Sequence, residues 1–285
     1  MYSVILVTGA TGAVGGEVVD RLLERGEKVR VLTRNPEGAR RWAEAVDVVT
    51  GDLADPGSLG AALDGVDRAF LLLVLPGIPQ AGPIVAAVRD AGVRHVALLS
   101  SIRAGSARDS AIKQVNLAAE AVVQGSGLDW TVLRGGTFMS NTLPWAPSVR
   151  AERVVRAFGG DFRSSAVDPR DVGEVAARVL ADPAPHRSRV HTLTGGEVIT
   201  VAEQVAVLAE LLGEPVAFEE LPEAVARGAM VDRLRYPPAV ADAMLTMLRN
   251  TDESLVRVDG AVAEVLGRPP RSYREWVADH IEAFR

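Results

Sequence analysis

Val4-Ile5-Leu6-Val7-Thr8-Gly9-Ala10-Thr11-Gly12-Ala13-Val14-Gly15 stands near the start of the 285-residue chain, and the topology follows from it. Val4–Val7 is a short apolar run that reads as a buried strand. Gly9 permits a tight turn directly after it, Gly12 lets the backbone approach a pyrophosphate, and Gly15 allows the next helix to pack closely on the sheet. That helix, amphipathic over Glu17–Arg25, stops at Gly26. Its N-terminus turns free N–H groups and a partial positive charge toward any bound phosphates. The spacing is G-x-x-G-x-x-G, so a purely structural glycine turn competes with a dinucleotide site. The strand–turn–helix setting favours the site, with Gly9, Thr11, Gly12, Ala13 and Val14 as its binding residues.

The same alternation continues downstream. Strands are expected at Val29–Thr33, Val46–Thr50, Ala69–Leu75, His95–Leu99 and Trp130–Leu133, with helices near Glu37–Glu44, Ser58–Leu63, Ile84–Ala91 and Ile112–Gln124 between them. The strands are nearly continuous apolar runs rather than alternating ones, as in a parallel sheet covered on both faces. The expected fold class is therefore α/β, a doubly wound parallel Rossmann sheet with a smaller, mostly helical C-terminal substrate lobe. Residues 1–150 form the cofactor domain, with additions to the sheet from about 160–200, and 201–285 form the lobe. His191–Leu193 is a candidate further strand, and Val172–Leu180 and Val201–Leu212 are helices. After 214 helical pieces are broken by Pro222, Pro237-Pro238 and Pro269-Pro270.

Composition excludes several classes of function. Hydrophobic residues make up 48% and charged residues 24%, and the net charge of −6 argues against a nucleic-acid-binding surface. The chain has no cysteine, which rules out disulfides and thiolate metal sites. No secretory leader is visible at Met1-Tyr2-Ser3, and the longest apolar stretch ends at Pro76, too short to span a bilayer. A cytoplasmic protein, monomer or homodimer, without membrane or nucleic-acid partners, is the expectation. His186 and His191 lack a third ligand nearby, so no metal site is expected. His95 opens a buried strand and reads as structural. Asp168 and Asp171 read as caps of the helix at Val172 rather than a catalytic carboxylate pair.

Cofactor choice is read at the end of the second strand. An acid there would bond the ribose 2′-OH and repel a 2′-phosphate. The chain carries Thr33-Arg34-Asn35 instead, and the planar fork of Arg34 suits a phosphate, with Arg40 or Arg41 as helpers. NADP(H) is thus expected over NAD, the competing reading being a solvated surface arginine. Asp52 and Leu53 follow the third strand, beside the expected adenine, although Asp52 equally suits a simple turn. Leu75 and Pro76 should border the cofactor ribose at the switch point, and Gly135 and Thr137 the nicotinamide.

Thr8–Gly15 resembles the T-G-A-T-G-x-x-G turn of extended and atypical short-chain dehydrogenases/reductases. Leu128–Arg134 followed by Phe138-Met139 and Asn141, then Val167–Val172, Leu193-Thr194-Gly195, Gly267–Pro270 and Trp276, resemble the NmrA-like branch. The likeness runs over nearly the whole chain. It implies NADP(H), reduction of quinones, ketones or ring ethers, and, for some members, sensing of the cofactor without turnover.

The family's Tyr and Lys, four residues apart, fall here at Ile112 and Asn116. Neither can do the usual job: Ile112 has no proton to give, and Asn116 is limited to bonding a ribose. Three substitutes remain open. Ser100, or Ser101, sits where the family's Ser polarises the carbonyl. Lys113 is an alternative acid. A quinone or hydroxyaryl ketone can instead stabilise its own oxyanion and take its proton from water. Ser101, Phe138 and Met139 are the candidate substrate-lining residues, against ordinary core packing for the latter two; Trp145, Tyr236, Met244 and Met247 lie in the variable lobe. Together these readings point to an NADPH-dependent reductase of a carbonyl or quinone on an aromatic or conjugated small molecule. The resemblance suggests a ketoreductase of bacterial polyketide antibiotic biosynthesis, with a non-catalytic NADP-sensing regulator as the alternative.

Overall fold

A computed structural model describes residues 3–74, 81–233, 236–253 and 256–285. The central sheet has seven parallel strands. They are β1 (Val4–Thr8), β2 (Lys28–Thr33), β3 (Asp47–Thr50), β4 (Val66–Leu72), β5 (His95–Ser101), β6 (Asp129–Gly135) and a later strand, Arg189–Leu193, at the edge. The first six stand in the order β3-β2-β1-β4-β5-β6, and Arg189–Leu193 joins beside β6. The order reverses between β1 and β4, so a crevice opens at their carboxyl ends.

Helices cover both faces. On one, α1 (Ala13–Glu24) packs with later helices, and Val14, Val18, Val19 and Leu22 bury against the strands. On the other lie α2 (Gly60–Leu63), α3 (Ala81–Asp90) and α4 (Ala111–Gln124). The expected helix at Glu37–Glu44 is a 3-10 segment, Pro36–Ala45, started by Pro36 and capped by the Asn35 side chain.

Beyond β6 a short helix, α5 (Ala146–Glu152), leads to β7 (Val154–Ala157) and β8 (Arg163–Ser164). Next comes α6 (Pro169–Ala181), capped by Asp168 through a bond from the Arg170 N–H. It crosses α1 at Gly173, where a Cβ would stand 2.4 Å from the Cβ of Glu17, so only glycine permits this approach. The edge strand Arg189–Leu193 is thus β9, followed by β10 (Ile199–Thr200), α7 (Val201–Leu212) and β11 (Ala217–Glu220). β11 pairs parallel with β7, and β10 antiparallel with β8. These four short strands have no apolar run long enough to announce them.

α8 (Glu223–Gly228), α9 (Pro238–Arg249), α10 (Ala261–Leu266) and α11 (Tyr273–His280) complete the chain. A third core centres on Tyr273, Trp276 and Phe284 and draws in Met139, Val149 and Val155, so it is fed from both sides of residue 201. Among the described residues no helix is long and apolar enough to cross a membrane.

Candidate functional site

The glycine bend is built as its spacing requires. Gly9 has φ +66°, a left-handed conformation that costs glycine little, and its carbonyl accepts from the Gly12 N–H at 3.0 Å. A Cβ on Gly15 would lie 2.2 Å from that same oxygen, so the turn cannot close over a larger residue. Gly12 caps α1 without a side-chain bond, and the first turn, including Ala13 and Val14, holds no acid. The helix therefore presents uncapped N–H groups and an unopposed dipole. Gly9, Thr11, Gly12, Arg34, Asp52 and Leu53 are among the residues lining a cleft of ≈ 570 Å³ at this end of the sheet. Uncapped amides, room for close approach and an adjacent guanidinium suit a dinucleotide phosphate backbone.

The cations near the cleft differ in commitment. Arg40 pairs with Glu37 at 2.7 Å, and Arg41 with Asp20 at 3.0 Å while lying over the Trp42 ring. Among the described residues Arg34 makes no ion pair or hydrogen bond and is exposed, so of the three it alone is uncommitted. Asp52 accepts from the Ala54 N–H at 2.9 Å, the turn role, while it also lines the cleft. Leu75 and Pro76 lie outside the described residues.

At the carboxyl end of β5 the side chains answer one another. Buried Ser100 donates to Glu120 Oε1 at 2.5 Å and lies 3.4 Å from Asn116 Oδ1. Glu120, also buried, accepts from Arg134 at 3.0 and 2.7 Å, a two-point pair from α4 to β6. Asn116 donates to the Ile112 carbonyl at 2.7 Å, and the Lys113 ammonium to the Ser106 carbonyl at 2.7 Å. The structure thus brings Ser100 and Asn116 together and turns Lys113 to a different partner. Arg134 stood within the stretch Leu128–Arg134 and Glu120 within the helix Ile112–Gln124, but their pairing across fourteen residues carried no local signal.

Ser101 accepts from the Arg103 N–H and caps the turn Ile102–Gly105. Gly135 leaves room for Phe138: a Cβ there would meet the Phe138 ring at 3.1 Å. Met139 is 1% exposed and packs in the third core, which is the packing reading of that residue. Thr137 lines a small cavity with Ile102, Arg103, Gly136, Ser164 and Ser165 among others. Burial pulls the Arg103 guanidinium down to about 10, against the attraction of Asp252. Arg103 was not singled out by the sequence, since one arginine among many gives no pattern.

Asp168 caps α6, whereas Asp171, in its first turn, is held by Arg268 and Arg271 from the C-terminal segment. His186 and His191 stack edge to face, and among the described residues no group of three or more metal-binding side chains occurs.

A family described as NAD(P)H-binding matches residues 9–183. A (4-alkanoyl-5-oxo-2,5-dihydrofuran-3-yl)methyl phosphate reductase of Streptomyces griseus is 44% identical, covering 98% of this chain and 99% of its own. An NAD(P)H azoreductase of Xenophilus azovorans is 34% identical over 98% and 99% of the two chains. The solved NADPH-dependent quinone oxidoreductase of Escherichia coli, complexed with NADPH, superposes with a TM-score of 0.79 at 26% identity, over 97% and 99%. The chain belongs to the NAD(P)H-binding family and is an NAD(P)H-dependent oxidoreductase with NmrA-like relatives.

Proposed function

We propose that the protein is an NADPH-dependent reductase of a carbonyl or quinone group on a conjugated small molecule, working without a tyrosine acid. The observation that carries this reading is the bonding at the end of β5. The Ser100 proton is directed to Glu120, and the Lys113 ammonium to a backbone carbonyl. Position 112 is Ile and 116 is Asn, so no uncommitted acid stands where the family's tyrosine would.

Bound NADPH supplies a hydride. The chain's own work is to hold the dinucleotide with the bend Gly9–Gly15, to seat its 2′-phosphate on Arg34, and to keep the end of β5 rigid through Glu120 and Arg134. Positioning alone accounts for a large part of such a rate enhancement. A conjugated acceptor spreads the charge it gains and takes its proton from water, so it tolerates the missing acid. An isolated alkyl ketone does not. The names of the relatives support an acceptor of this kind: a quinone in one, an azo group in another, an oxo-dihydrofuran in a third. A ketoreductase step in bacterial aromatic polyketide biosynthesis is one form of this reading, and the Streptomyces relative favours such a setting.

The test is NADPH oxidation with menadione and, separately, with cyclohexanone. Turnover of the quinone with at least about a hundredfold lower kcat/KM for the alkyl ketone is expected. Comparable rates on both would require an acid that this account leaves out. A pure cofactor sensor would oxidise NADPH with neither.

A further inference from the structure

The cavity lined by Arg103 begins one step beyond the paired ends of β5 and β6. Ser101 pairs with Gly135 in register, and Ile102-Arg103 and Gly136-Thr137 continue from them. Ser164 of β8 and the adjoining Ser165 close it from the side opposite β5. In open α/β sheets this is where ligands sit. The acceptor of the reduction proposed above would lie against the same strand ends.

What distinguishes the cavity is the state of its donors. Among the described residues the Arg103 guanidinium makes no hydrogen bond or ion pair, and neither the Thr137, Ser164 nor Ser165 hydroxyl is hydrogen-bonded. Arg163, on the same cavity, is by contrast paired with Glu253. Asp252 also lines it and accepts from Ser106. A half-buried guanidinium gains most from a partner that returns charge and lone pairs together, and its planar fork matches an oxyanion. The cavity's ≈ 20 Å³ is about the space of one water, or of one terminal oxygen of such an anion.

We infer that Arg103, with the hydroxyls of Thr137, Ser164 and Ser165, forms a subsite for a phosphate-like anionic substituent of the acceptor. The subsite is separate from the Arg34 end of the cofactor cleft. It sets specificity by binding one edge of the acceptor while the conjugated group faces the hydride. The inference rests on the reductase reading only in naming the bound molecule as the acceptor.

The experiment is calorimetric titration of phenyl phosphate into the full chain saturated with NADP+, so that the Arg34 site is filled. Binding to the wild type is expected, with phenol at the same concentrations giving none. Arg103→Gln should weaken phenyl phosphate at least about tenfold and leave the Kd for NADP+ within twofold. Arg103→Lys, which keeps the charge but not the fork, should fall between. A second arm compares NADPH oxidation with 1,2-naphthoquinone and its 4-sulfonate. Arg103→Gln should raise KM for the sulfonate about tenfold and leave the neutral quinone unchanged.

Equal loss on both quinones, no binding of phenyl phosphate by the wild type, or a weakened NADP+ Kd in Arg103→Gln would each overturn the subsite. If neither quinone is turned over but the phosphate binds through Arg103, the reductase reading fails and the anion site stands.

Discussion

At the carboxyl ends of β1 and β2 the chain offers backbone amides and one uncommitted arginine. At the carboxyl ends of β5 and β6 Ser100 donates to Glu120, Glu120 accepts from Arg134, and Asn116 stands beside Ser100 with its amide donated to the Ile112 carbonyl. The first region is open to a phosphate-bearing ligand and costs that ligand little rearrangement. The second is a chain of bonds that commits the Ser100 proton to Glu120, so it offers the reacting group shape rather than a proton. On the proposed function, recognition and chemistry are separated along one sheet: affinity is concentrated at the glycine bend, and the reaction depends on what the bound partners bring.

The strongest blow to this contrast falls on the glycine end. Gly15→Ala places a Cβ against the Gly9 carbonyl. It should reduce NADPH affinity by at least about a hundredfold, read by quenching of intrinsic fluorescence, because the turn and the helix start must both move. Near-normal affinity would mean that the bend is not the grip.

Next comes that chain of bonds. Glu120→Ala leaves Arg134 without its partner beside a buried hydroxyl. A loss of about 3 kcal/mol is expected in urea denaturation. Arg134→Ala should cost about as much, and the double variant clearly less than the sum. Additive losses would show that the residues do not act as a unit.

The amino end of β5 gives a pH signature distinct from its carboxyl end. Thr131 Oγ1 donates to the His186 carbonyl at 2.8 Å, so at its 3.2 Å contact His95 Nε2 is the donor. His95 Nδ1 has no partner among the described residues, and burial lowers the ring's pKa to about 4. The unfolded ring titrates near 6.5, so between the two values the unfolded chain holds more protons. This contribution to stability is complete above about 6.5 and is lost as pH falls toward 4. His95→Gln should flatten that part of the stability–pH curve. An unchanged slope would place the effect elsewhere, the lowered His186 and His191 being the next candidates.

The smallest effects are expected where a catalytic role would predict the largest. Ser100→Ala and Lys113→Ala should each change kcat on a quinone by less than about threefold. A hundredfold fall in either would make that side chain the missing acid.

Much of this was legible in advance because the parallel strands are buried on both faces. The inner strands β1 and β5 then carry nearly continuous apolar runs, and the glycines, Arg34 and Asp52 follow the strands closely. The helix Val201–Leu212, between the cap Thr200 and Gly213, was legible to the residue. The small sheets β7–β11 and β8–β10 were not, since their strands are two to four residues long and gain their pairing from tertiary contact. The cluster of Ser100, Asn116, Glu120 and Arg134 was hidden for a related reason. Its members lie up to 34 positions apart, and only the register of β5 against β6 and α4 brings them together. Arg103 gave no signal, because what marks it, a half-buried guanidinium with no hydrogen bond or ion pair among the described residues, arises only from the fold.

The central claim is that a glycine bend grips the diphosphate while Arg34 grips the 2′-phosphate. Fluorescence titration of the purified protein with NADPH and with NADH tests it most directly. NADPH should bind at least about tenfold more tightly, and Arg34→Gln should remove most of that preference without weakening NADH. Equal affinity for the two dinucleotides, or a preference that survives Arg34→Gln, would contradict the account.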